Sequence, residues 1–320
     1  LENLLISEEL ISDEQLKMMF VCCNPQISES SQICLILKIL CGFSISEIAN
    51  SFFTSTETIN KRLVRGRKQL RTNNISFELL KDINKNLPIV LKTIFLLFNE
   101  GYSPTQKNEL IRYDLCLEAI RLTEILVESK VIKQKADCYS LLALMYFNAS
   151  RFESRMNSTN SIIEMDKQNR ENWNQQLINK GIQNLNKATK GEQVSKYLIL
   201  ATISANYCIA TSFEKTDWKE ILSLYDSLLE LEDTPIIRLN RSVPLSKVKG
   251  NRFAILELEK FVKKSKIDNS HLFFSTLAEF YKLENNLEKA KKNYEKAISL
   301  AENERDLKLL RKKLIDVVPI

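Results

Sequence analysis

Apolar residues recur along the chain at three- and four-residue spacing and do not alternate, which is the period of helices. Leu16, Met19 and Phe20 share one face of a first helix from Asp13 to Phe20, with Ser12 as its N-cap and Gln15 three residues on. A second helix is predicted from Glu29 to Cys41, stopped by Gly42, which accepts the left-handed conformation. Ser44 with Glu47 then spells a capping box for a short helix, and Thr54 with Glu57 spells another for a longer helix through about Arg71. Two helices joined by so short a turn, with small Ala49 where they would cross, predict a helix-turn-helix.

At about 100° per residue, Ile59, Leu63, Gly66 and Leu70 form the stripe of this longer helix that faces the core. Glu57, Lys61, Val64 and Lys68 project from the opposite side, flanked by Asn60, Arg65 and Arg71. Between Thr56 and Arg71 stand six basic residues and one acid, Glu57, whereas the rest of residues 1–75 carries two basic and seven acidic residues. Charge alone describes an ordinary solvated face. The turn grammar makes it a phosphate-seeking helix, since groove-reading helices touch bases with their N-terminal part and backbone with the cations behind. Thr56, Glu57, Asn60 and Lys61 are the candidate readers, and Arg62, Arg65, Lys68 and Arg71 complete the candidate DNA-binding set.

Residues 76–190 read as a string of helices with loops near Gly101 to Asn108 and Arg151 to Ser161. Phe98-Asn99-Glu100-Gly101-Tyr102 is either a ligand site or a helix C-terminus with left-handed Gly101; one acid and one phenol make no reaction centre, which favours the second. From Ser270, the residues Phe274, Leu277, Ala278, Tyr281, Ala290, Tyr294 and Ala297 follow the size pattern of a tetratricopeptide unit. A shift of 36 residues gives an in-phase, degenerate copy in Ser242, Leu245, Ala254, Leu258 and Phe261, and an older unit lies around Ile221, Tyr225 and Leu228. Lys308, Arg311, Lys312 and Lys313 read as a solvated face.

Composition narrows this further. Gly and Pro number six each in 320 residues, about a third of average usage, which leaves little room for hairpins and favours an all-α chain. The net charge of +6 matters only where it clusters. Seven cysteines without C-x-x-C spacing and a single histidine, His271, suggest reduced, buried thiols and no metal or cofactor. The longest apolar run, Ile89 to Phe98, is broken by Lys92 and too short to span a bilayer, so a cytoplasmic location is expected.

The stretch FSISEIANSFFTSTETINKRLVRGRKQLR resembles region 4 of bacterial sigma factors, and FVCCNPQISESSQICLILKILCGFS upstream resembles one branch of the extracytoplasmic-function (ECF) subfamily, the branch with a C-terminal tetratricopeptide-like extension. The likeness continues in order through Phe98–Tyr102, Asp114-Leu115-Cys116, Glu118–Leu122, Leu141–Met145, Gln168-Asn169-Arg170 with Trp173, Thr216-Asp217-Trp218, Leu239-Asn240-Arg241 and Asn293–Ala297. The chain departs from the family at Asn24, where His is usual, at Asn169, where an acid is usual, and at Pro244, which is expected to kink or end a helix.

The resemblance implies a non-enzymatic transcription protein. It divides the chain into a linker remnant at 1–12, a region 4 helix-turn-helix at 13–75, a helical middle domain at 76–190 and tetratricopeptide-like repeats at 191–320. The implied partners are promoter DNA at the −35 element, core RNA polymerase, and a regulatory protein or the chain's own N-terminal region on the repeats. No counterpart of region 2, which melts promoters, is found in the sequence, so weak promoter binding without initiation is expected. The rival class is a helical-repeat scaffold whose helix-turn-helix only packs. An enzyme finds no support in a nucleophile–base pair, a phosphate loop or a ligand set.

Overall fold

The computed structural model describes residues 13–72, 83–105, 110–157, 161–191, 193–265 and 270–317, the side chains of 72 and 262–265 excepted. Residues 1–12, read above as a linker remnant, lie outside them, as does Ser12. The protein is all-α: the described residues contain fifteen α-helices and no strand beyond one isolated antiparallel bridge between Met156 and Ile162. No helix among them is long and apolar enough to cross a membrane.

Two compact units divide the chain without following its order, one formed by Leu1–Ala149 with Gln175–Gln193, the other by Ser150–Asn174 with Val194–Ile320. The first unit holds α1 (Glu14–Val21), α2 (Glu29–Ile39), α3 (Ile45–Ser51), α4 (Thr56–Thr72), α5 (Leu87–Tyr102), α6 (Tyr113–Glu128), α7 (Ala136–Ala149) and α8 (Gln175–Ala188). Asp13, not Ser12, caps α1, its carboxylate accepting from the Leu16 amide at 2.8 Å. α2 ends two residues earlier than its apolar run suggests, and Gly42 then turns the chain at φ +71°. The helix-turn-helix is built into the helices that follow it: buried Asn86 donates to the Cys23 carbonyl at 2.9 Å, Lys92 pairs with Glu29 at 2.9 Å, and Arg121 joins Asp13 to Glu118 at 2.6 and 2.7 Å. Asn24, where the resembled family has His, caps its turn by accepting from the Gln26 amide, and its carbonyl receives Gln32.

Gly101 does not take the left-handed conformation expected of it. It lies inside α5 because α6 crosses there at backbone distance, where a side chain on residue 101 would meet Cys116. Its neighbour Glu100 is buried and accepts from the amide and hydroxyl of Thr105 at 2.9 and 2.7 Å. Burial pushes this carboxyl above the usual carboxylate range, against those hydrogen bonds. The FNEGY motif thus packs α5 on α6 and anchors the chain at Thr105.

The second unit holds α9 (Lys196–Ile209), α10 (Trp218–Leu231), α11 (Pro235–Lys249), α12 (Asn251–Ser265), α13 (His271–Leu283), α14 (Leu287–Leu300) and α15 (Glu304–Ile315). Successive helices pack in antiparallel pairs, and small residues set the crossings: Ala254, Ala278, Ala290 and Ala297 are fully buried beside Leu245, Leu258, Leu277, Tyr281 and Tyr294. Ile221, Tyr225 and Leu228 occupy a neighbouring core, as the older repeat unit requires. Pro244 neither ends nor interrupts its helix; α11 runs through it to Lys249, and Gly250 at φ +94° turns the chain into α12.

Within this unit Arg151 and Arg170 both stack over the ring of Trp173, at 5.1 and 4.8 Å. Arg170 also donates to the carbonyls of Tyr207 and Ala210 at 2.5 and 2.6 Å, at the C-terminal end of α9, where a cation complements unpaired carbonyls. Asn169, an acid in the resembled family, caps the 3-10 turn Arg170–Asn172 through the Glu171 amide. Lys308, Arg311 and Lys312 are solvated, but Lys313 is not: it reaches inward to Glu164 and Glu279, because on α15 it lies a turn from buried Leu310.

Candidate nucleic-acid interface

The N-terminus of α3 carries the expected capping box, with the Ser44 hydroxyl accepting from the Glu47 amide at 3.2 Å and the Glu47 carboxylate accepting from the Ser44 amide at 2.6 Å. Glu47 is nearly buried and its second oxygen receives Arg112 at 3.4 Å, so the same side chain caps α3 and ties it to the start of α6. Ala49 is buried at the crossing.

The turn into α4 is tight. Phe53 takes φ +49° and is 70% exposed, while the Thr54 amide closes back on the Ala49 carbonyl at 2.9 Å. The cap of α4 is Ser55, one residue later than the Thr54 predicted above, its hydroxyl accepting from the Thr58 amide at 3.2 Å. The shift follows from the turn, in which the Thr54 amide still belongs to the preceding helix end.

On α4 the inner stripe is as the periodicity requires. Ile59, Leu63 and Gly66 are buried and Leu70 is half-buried; at Gly66 a Cβ would come within 2.9 Å of the Leu35 Cδ1 on α2. Of the candidate site residues, Thr56, Glu57, Asn60, Lys61, Arg65, Lys68 and Arg71 are exposed. Arg62 differs, being half-buried with its guanidinium 5.2 Å over the Phe52 ring and beside the Cys34 thiol. It braces the turn instead of joining the outward face. Lys61 pairs with Glu57 one turn earlier at 2.7 Å, and both are well solvated, so the pair exchanges readily with water or another charge. Val64 stands exposed in the middle of this face; the angular projection places it there, but an uncharged side chain gives no phosphate-binding signal, so it is not among the candidate residues named from the sequence.

Chemically, this is a helix whose solvent face offers guanidinium and ammonium donors along its length and Thr56, Glu57 and Asn60 at its N-terminal tip. Donors of this kind are the ones that neutralise phosphates, and the tip residues Thr56, Glu57 and Asn60 stand exposed.

Residues 86–189, from the start of α5 through α8, match a family of unknown function (DUF6596). An uncharacterized protein of Rhizobium meliloti (strain 1021) is 32% identical over 249 residues, which are 77% of this chain and 58% of that relative. The chain thus spans somewhat over half the length of that relative. Among solved structures, a tetratricopeptide repeat protein from Parabacteroides merdae ATCC 43184 aligns over 84% of this chain and 98% of its own, with a TM-score of 0.42 and 14% identity.

Proposed function

We propose that the first unit binds duplex DNA through α4, in the manner of a sigma factor region 4 reading a −35 element alongside core RNA polymerase, and that the helical pairs of the second unit hold a regulatory protein partner. The observation that supports this reading is the exposed cationic face of α4, which stands on a buried stripe and behind a capped turn. Such a face obtains most of its affinity from phosphate neutralisation, and its binding falls with salt.

Replacing Lys61, Arg65 and Lys68 together is the test, because all three are exposed and none is part of the core stripe. Helicity should be unchanged, binding to duplex DNA should weaken, and the log–log salt slope should fall by about 0.9 for each phosphate that is no longer neutralised. An unchanged slope removes α4 as the interface.

A second reading, a protein-interaction scaffold with a packing helix-turn-helix, is favoured by the antiparallel helical pairs that make up the second unit and by the integration of α1–α4 with α5 and α6. Salt-dependent DNA binding separates the two, since a scaffold shows none.

A further inference from the structure

Val64 is 64% exposed, and every other exposed position of α4 is polar or charged. It lies between Lys61 and Lys68 on the outward face and gains nothing there from burial. A β-branched residue is also a poor choice for an exposed helical position on propensity alone. Neither burial nor helix propensity accounts for it. The surrounding cations, Lys61, Arg65, Lys68 and Arg71, select a polyanion as the occupant of this face. Within a duplex, the apolar group displayed on the major-groove floor is the C5 methyl of thymine. The Val64 γ-methyls are held by one strongly preferred rotamer, so docking freezes little side-chain motion.

Resting on the reading of α4 as a groove-entering helix, we propose that Val64 is a specificity-determining residue that packs on a thymine methyl, making one position of the bound site thymine-selective through apolar contact.

The experiment selects duplexes from a random pool with the full chain, then replaces each thymine of the selected site singly by deoxyuridine, which deletes that methyl alone. One replacement should weaken binding about fourfold, the worth of one buried methyl group. Val64→Ala, confirmed folded by circular dichroism, should bind the parent and that replaced duplex equally. If every replacement affects both proteins alike, or the selected sites share no thymine, the inference is overturned while DNA binding by α4 stands. If the chain enriches no duplex and shows no salt-dependent binding, the reading of α4 fails and this inference with it. A Val64→Ala chain that keeps full methyl sensitivity but loses a protein partner would assign the residue to that partner and also overturn the proposal.

Discussion

Gly101 on α5 lies directly against Cys116 on α6: a Cβ at residue 101 would stand 2.7 Å from the Cys116 sulfur and 2.9 Å from its backbone nitrogen. Two helices meet here at backbone distance, and the Arg112 amide donates to the Gly101 carbonyl at 2.7 Å to close the junction. Gly101→Ala should therefore destabilise the chain by about 1–3 kcal/mol in denaturant titration, even though alanine is the better helix former. Gly66→Ala is the control, because its nearest neighbour is the movable end of Leu35; the propensity gain should leave it close to neutral. Equal effects at the two glycines would refute the close backbone approach.

Capping offers a finer test of the turn before α4. Ser55→Ala removes the hydroxyl that receives the Thr58 amide and should cost about 1 kcal/mol, whereas Thr54→Ala should cost clearly less. Thermal melts of the two variants decide which residue opens the helix, and a larger loss at Thr54 would restore the sequence-based assignment.

Ala290 and Ala297 are fully buried where α14 crosses its neighbours, so added volume has no space to enter. Ala290→Leu should lose about 1–3 kcal/mol. A variant that melts like the parent would mean that these helices do not cross closely.

The inward-facing Lys313 predicts a pH dependence. Burial by itself would raise the Glu164 carboxyl, but hydrogen bonding and charge from Lys313, with Lys167, hold it below its ordinary value of 4.5. A depressed carboxylate contributes stability that is present above its unfolded pKa and lost as the pH falls through the folded value. Lys313→Met should cost about 2 kcal/mol near neutral pH, and the gap to the parent should narrow as the pH drops below 4.5. Urea titrations at a series of pH values check this; a gap that is constant or widens in acid contradicts the assignment.

The helical period, the core stripe of α4, the Ser44–Glu47 capping box and the small residues of the last helical pair follow from sequence alone, because each rests on spacing within one helix or between adjacent ones. Spacing carries no information about what lies across from a residue. The close approach at Gly101, the cap at Ser55, the inward turn of Lys313 and the ring partner of Arg62 were all decided by neighbours from elsewhere in the chain or by the geometry of a turn. The candidate interface divides the same way. Its cations and their common face are legible at about 100° per residue, and the same angle sets Arg62 beside the core stripe, but the ring on which Arg62 rests, Phe52, is known only from the fold. Local hydrogen bonding and apolar period fix a helix and its buried side, whereas burial, close approach and charge pairing are properties of two surfaces and appear only when the tertiary fold brings both together.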